Sequence, residues 1–289
     1  MSRVKIVTDS TADLPKELIE ELDITVVPLR VTFPDGTTYQ DGVDLTAEAF
    51  YEKLQTADGV PKTSQPTPHE FETVYKQVKE TYGEDTTVLS LHLSSRLSGT
   101  YQAATIAKEE VEGLHIDVVD TKRASMAFGL IVLELARFAQ SGADAQACRE
   151  RLDDLLKKSR VFFVVDTLEY LQKNGRIGKA SAMLGSLLKM KPILSLTNEG
   201  EVYAADKVRG KKKALLRMND LLADEFKSKP VQVSVCIAGP HESSEEVLDM
   251  LKGTFDVQQV FESSIGPVIG AHVGPGTIAV AVAPMYNDA

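Results

Sequence analysis

Short apolar, β-branched runs alternate along this chain with longer segments whose apolar residues recur every three or four positions. That alternation predicts parallel strands joined by helical crossovers. In the first half, residues 4–8, 24–33, 87–93 and 116–119 are the expected strands, and 15–22, 47–54, 68–82 and 99–111 the helices between them. Pro15 and Pro68 sit where a first helical turn tolerates a missing N–H. After Asp120 come an almost wholly apolar helix, 125–139, and a charged amphipathic one, 145–158, that reads as the exit from a first domain. The second half holds six expected strands, 161–165, 192–197, 201–208, 231–238, 256–263 and 277–283. Thr197-Asn198-Glu199-Gly200-Glu201 is a hairpin signal between two of them, so this sheet is expected to be mixed. A further apolar helix is expected over 177–190. The fold class is therefore α/β in two domains: 1–160 around a four-stranded parallel sheet, and 161–289 around a six-stranded mixed sheet. A cleft between two such domains is a common place for a ligand.

Composition excludes several classes. The 289 residues are 43% hydrophobic and 26% charged, the make-up of a folded, water-soluble protein. With 32 Lys and Arg against 42 Asp and Glu the formal charge is -10, which works against nucleic acid as a partner. Two cysteines, Cys148 and Cys236, suffice neither for a disulfide framework nor for a four-thiolate zinc site, and they fit a cytoplasmic location. Asp9 interrupts the apolar start that follows Arg3 and Lys5, so no secretory signal is expected. Residues 263–287 carry no charge apart from His272, but Pro267, Pro275 and Pro284 with four glycines argue against a membrane-spanning helix.

No dinucleotide fingerprint follows the first strand, and neither a phosphate loop nor a G-x-S-x-G elbow occurs. The five histidines, at 69, 92, 115, 241 and 272, lack metal-ligand spacing, so neither cofactor nor metal is expected. What remains are hydroxyl-rich segments at strand ends: 8–15, 62–66 and 93–101. In an open α/β sheet such segments face one crevice, where hydroxyls and free N–H groups can hold an oxyanion. The same residue types also serve as helix caps, with no ligand at all. Asp13 and Ser98 suit capping; Ser94 and Ser95, directly after an apolar strand, suit either role.

Six tags then occur in a telling order. They are Thr8-Asp9-Ser10 with Asp13-Leu14-Pro15, Thr63-Ser64-Gln65-Pro66, Ser94-Ser95-Arg96-Leu97-Ser98-Gly99-Thr100-Tyr101, Leu168-Glu169-Tyr170-Leu171-Gln172-Lys173-Asn174-Gly175-Arg176-Ile177, Lys191-Pro192-Ile193-Leu194 and His272-Val273-Gly274-Pro275-Gly276. Together they make the whole chain resemble the DegV family, whose members include the fatty-acid-binding subunit (FakB) of bacterial fatty acid kinase. The resemblance implies one long-chain fatty acid buried between two α/β domains, the second completing the acyl-chain tunnel. It implies a carboxylate site drawn from Thr63, Ser64, Ser94, Ser95, His272 and Gly274. It further implies no turnover by this chain alone: a separate ATP-dependent kinase, docking at Arg176 and Arg209, would form acyl phosphate for phospholipid synthesis. Asn174 departs from the family's Leu-x-x-Gly-Gly-Arg-Ile-Gly tag, which has Gly there, and puts the local turn in question.

Burying a methylene is worth about 0.8 kcal/mol, so roughly fourteen of them offer on the order of 11 kcal/mol before ordering costs. Helices 125–139 and 177–190 are candidate tunnel walls, or ordinary core. From Lys173 to Arg217 eleven Lys and Arg face three acids, a local charge of +8. That stretch suits an acidic partner or transient contact of helix 177–190 with an anionic membrane surface, and equally a solvated helix start. Two other functions compete with a lipid carrier. A serine acyl hydrolase would use Ser95 as nucleophile, His272 as base and Asp9 as orienter. A nucleic-acid binder would use residues 207–217, against an acidic remainder and with only 6% aromatic residues for stacking. Of the other histidines, His92 is expected to be packed, and His69, His115 and His241 to lie at the surface.

Overall fold

The structure, a computed structural model, describes residues 3–185, 190–227, 229–239 and 244–286. Strands β1 (Val4–Asp9), β2 (Thr25–Val27), β3 (Arg30–Thr32), β4 (Thr38–Gln40), β5 (Lys62–Ser64), β6 (Thr87–His92) and β7 (His115–Asp120) make up the first half. Helices α1 (Lys16–Glu21), α2 (Ala47–Thr56), α3 (Pro68–Tyr82) and α4 (Thr100–Glu109) connect them, followed by α5 (Met126–Gln140) and α6 (Ala145–Lys158). Then come strands β8 (Arg160–Val164), β9 (Met190–Leu196), β10 (Val202–Arg209), β11 (Pro230–Ile237), β12 (Asp256–Ser264) and β13 (Ile278–Pro284). Helices α7 (Glu169–Lys173), α8 (Lys211–Phe226), α9 (Glu245–Thr254) and α10 (Pro267–Val273) complete the chain.

The four-stranded parallel sheet has the order β2-β1-β6-β7. β6 is buried throughout, as a strand covered by crossover helices on both faces must be. α3 has the bounds read from sequence because its start is doubly fixed, by Pro68 in the first turn and by a capping box of Thr67 with Glu70. The second sheet is mixed, in the order β10-β9-β8-β13-β11-β12, with β11 and β12 its one parallel pair among the described strands. The β9–β10 hairpin turns where expected, at a Gly200 with φ +84°. A side chain there would meet Ser94 Oγ at 2.0 Å, so the hairpin tip lies hard against the first half.

Two expectations fail, each for a local reason. The single strand over 24–33 is two strands, interrupted at Pro28, which has no N–H to give a ladder. β3 leaves the parallel sheet and forms a small antiparallel one, β4-β3-β5. The helix over 177–190 is not formed: a 3-10 turn spans Gly178–Met183, and β9 begins at Met190. Gly178 (φ +51°) and Gly185 (φ +83°) adopt left-handed backbone, which an α-helix cannot continue through; Leu187, Leu188 and Lys189 lie outside the described residues. Of the two roles open to helix 125–139, α5 takes that of core over 126–136, while Ser125 at its N-cap lines the cavity described below. The helix is wedged between β1 on one side and β11 and β13 on the other, with every residue from Met126 to Ala136 buried, which is why it is apolar all round. Among the described residues, no helix is long and apolar enough to cross a membrane.

Candidate functional site

Between the two large sheets lies a cavity enclosing about 860 Å³ of empty space, its open end included. One wall is strand: Val161 and Phe163 of β8, Val202 of β10 and Ala279 of β13 point into it. The facing wall includes Leu29, Leu93 and, from α10, Val268 and Ile269. Thr63, Gln65, Ser98, Arg176 and His272 make one end polar, and Ser125 and Thr277 are the other polar residues that line the space. Gln65 is exposed, so this end reaches the surface.

Thr63 arrives on β5, the strand of the small sheet, and His272 on the last turn of α10. Their side chains meet, Thr63 Oγ1 to His272 Nε2 at 2.8 Å. The other ring nitrogen, Nδ1, is buried without a hydrogen-bond partner. The hydroxyl and the neutral imidazole hold two acidic protons between them, and their mutual bond uses one. If the hydroxyl donates to Nε2, an Nδ1–H is left over; if Nε2–H donates to the hydroxyl, the Thr63 O–H is left over. In either tautomer one donor remains for a ligand. The ring is neutral at physiological pH, because burial, then the charges of Arg176 and Lys62, push its pKa down to about 3.

Those two cations are bonded to amide oxygens rather than to carboxylates. Arg176 Nε donates to Leu97 O at 3.0 Å and Nη1 to Asn174 O at 2.7 Å. Lys62 Nζ donates to Lys173 O at 3.1 Å and to Asn174 Oδ1 at 3.0 Å. Their charge is left to favour an anion at the polar end.

The other expected ligand residues are engaged elsewhere. Ser95 is exposed and committed to Asp120: its Oγ donates to Oδ2 at 2.6 Å and its backbone N–H to Oδ1 at 3.1 Å. It is not among the residues lining the cavity. Ser94 is buried and donates to Gly200 O at 2.8 Å, fastening the β9–β10 hairpin. The carbonyl of Ser94 accepts from Leu97 and Ser98 N–H, so the chain makes one turn there, and Ser98 rather than Ser95 faces the cavity. The capping role expected of Ser98 is present too, its Oγ accepting the Thr100 N–H at 3.3 Å where α4 begins; its spacing four residues beyond Ser94 is the signal that it also reaches the cavity. Ser64 is exposed on β5. Gly274 (φ +77°) leaves room for Tyr170, whose ring a side chain would meet at 2.4 Å. Arg176, expected as a docking residue, lines the cavity, whereas Arg209 is exposed at the end of β10 beside Met190.

The hydrolase triad is not assembled. Ser95 pairs with Asp120, His272 with Thr63, and Asp9 accepts from Leu93 N–H at 3.1 Å and meets His92 Nδ1 at 3.0 Å. His92 is packed as expected, its Nε2 bonded to Ser90 Oγ at 2.8 Å, and His69 and His115 are exposed; His241 lies outside the described residues. Among the described residues no three His, Cys, Asp or Glu side chains are grouped to hold a metal ion.

At the other end of α10 the polar groups are acids. Asp13 Oδ1 accepts Gly266 N–H at 3.1 Å and its carbonyl accepts Ser263 Oγ at 2.7 Å; Ser125 donates to the second carboxylate oxygen. Ser10 Oγ donates to Asp41 Oδ2 at 2.9 Å, and the Val268 N–H bonds the same carboxylate. Burial pushes Asp41 up to about 7, with Asp9 adding to the rise, and holds Asp13 well above the carboxylate range, with Asp41 adding there. Tyr51 donates to Ile265 O at 3.0 Å, closing the same knot.

Comparison with known proteins places this architecture. The model of the DegV family matches residues 3–285. A DegV domain-containing protein of Listeria innocua is 38% identical over 279 residues, 96% of this chain and 97% of that one. A DegV family protein from Thermus thermophilus, described as fatty-acid binding, superposes with a TM-score of 0.90 at 36% identity, covering 98% of this chain and all of that one. A stearic-acid-binding protein from Eubacterium ventriosum gives 0.88 at 28% identity, covering 97% and 98%.

Proposed function

The chain belongs to the DegV family, and from that premise we propose that it is a carrier that buries a long-chain fatty acid between its two domains, 1–160 and 161–289, and does no chemistry on it. The observation that carries this reading is the spare donor of the Thr63–His272 pair, set at the polar end of a mostly apolar cavity. A carboxylate needs such donors: without them a buried one becomes neutral or stays in water. Ser98 lies beside the pair, and the charges of Arg176 and Lys62 oppose protonation of the bound acid. The acyl chain runs along the strand wall, where its burial supplies most of the affinity. Fatty acids in similar folds of known structure support the ligand class.

With the head group at the surface end, the protein presents a carboxylate to a separate ATP-dependent kinase for acyl phosphate formation. The exposed Arg209 is the docking residue, and Arg176 acts from the cavity rim. Transient contact with an anionic membrane surface would rest on the exposed Leu184 and Lys179, not on a helix. Mass spectrometry of an organic extract of the purified protein tests the ligand, with about one long-chain fatty acid per chain expected; an empty protein that also refuses added palmitic acid would sink the carrier.

A further inference from the structure

Asn174 closes α7, at φ -94° and ψ 3°, an ordinary backbone conformation that demands no particular residue. Its side chain is what the site uses. The amide is buried, and three hydrogen bonds tie it to groups on either side of the head-group end. Nδ2 donates to Pro61 O at 3.1 Å and to Ala271 O at 2.8 Å, while Oδ1 accepts from Lys62 Nζ at 3.0 Å. Pro61 and Lys62 lead directly into Thr63, and Ala271 immediately precedes His272. The backbone oxygen of Asn174 accepts from Arg176 Nη1 at 2.7 Å. One residue thus touches the neighbours of both members of the pair and the cation beside them.

We propose that Asn174 is the positioning residue of the carboxylate site: it pins β5 to α10 so that Thr63 and His272 hold their spare proton in register with the ligand's head group. This rests on the fatty-acid reading given above. Two N–H donors and one acceptor in a side chain this short are unique to Asn. Asp would set a carboxylate against two carbonyl oxygens, Ser has a single donor, and Ala or Gly leaves two carbonyls unpaired. A binding site held by hydrogen bonds tolerates only fractions of an ångström of drift, whereas an apolar channel accommodates more. Loss of the bridge therefore weakens the grip on the head group and spares the grip on the chain.

The test compares palmitic acid with 1-hexadecanol, which shares the tail and lacks the carboxylate. Affinities are measured by displacement of a fluorescent acyl probe from wild-type, Asn174→Ala and Asn174→Gly proteins; glycine suits the backbone angles should the alanine variant not fold. The variants are expected to lose about tenfold in affinity for the acid, 1.4 kcal/mol, and less than twofold for the alcohol. The imidazole nitrogen shifts of His272 are expected to move as its bond to Thr63 loosens. Equal losses for both ligands, or undiminished binding of the acid, would overturn the proposal by making Asn174 merely structural or irrelevant. Wild-type protein that takes up neither ligand removes the fatty-acid reading instead, and this one with it.

Discussion

The two ends of α10 meet the same difficulty, polar groups buried at the seam between two sheets, and answer it differently. At the N-terminal end Asp13 and Asp41 are tied to Ser10, Ser125, Gly266 and Val268, and what is left over is acidity. At the C-terminal end Thr63 and His272 satisfy each other and keep one donor in reserve, with two cations nearby. The first end spends its hydroxyls on two carboxyls whose pKa values burial raises; the second keeps a donor beside two cations. A helix of seven residues thus carries a latch at one end and the proposed ligand site at the other.

The acid end is where the largest effect is expected. Asp41 has an ordinary value of 3.8 and a folded one of about 7. A raised folded pKa gives stability that is full below 3.8 and is lost as pH rises through 7. Between pH 5 and pH 8 this group therefore removes about 2.5 kcal/mol of stability, part of the roughly 4 kcal/mol that the whole shift carries. Urea melts of wild-type and Asp41→Asn proteins at the two pH values measure it, and the variant is expected to lose most of the pH slope. Parallel slopes would erase the contrast between the two ends.

Next in size is the ligand end. Thr63→Val and His272→Ala each remove hydrogen bonding to a charged head group, worth about 1.5 to 3 kcal/mol, so affinity for palmitic acid is expected to fall roughly 10- to 100-fold. Titration calorimetry reads this, alongside melts that confirm the fold. His272 itself sharpens the point: with its pKa pushed down to about 3, its ring proton resonances in the free protein are expected to stay flat from pH 8 to pH 5. An inflection near 6.5 would mean a charged ring and a different site. The smallest effect belongs to Ser95→Ala. Its hydroxyl already serves Asp120, so affinity is expected to change by less than about twofold. A loss matching that of Thr63→Val would return Ser95 to the site.

Long strands and capped helices were legible because their signals are local: period two or four, Pro68 in a first turn, Gly200 in a hairpin. The three-residue strands β4 and β5 were not, since so short a run shows no period, and β3 was legible only as the end of one strand with β2; with them went the scaffold that carries Thr63. The apolar spacing over 177–190 matched a helix, yet two glycines in left-handed conformation overrode it. The departure at Asn174 was visible as a possible change in a turn; its backbone turned out ordinary and its side chain the part that matters.

The sequence by itself determined the order of elements, the two kinds of sheet, the absence of the familiar nucleotide-binding motifs, and a set of hydroxyls and one histidine able to hold an acid. Only the tertiary structure decided which hydroxyl meets that histidine. Thr63 and His272 stand 209 positions apart, and Ser98 displaces Ser95 through a single turn of chain. Side-chain direction at a seam is set by how distant elements pack, and no local pattern encodes it.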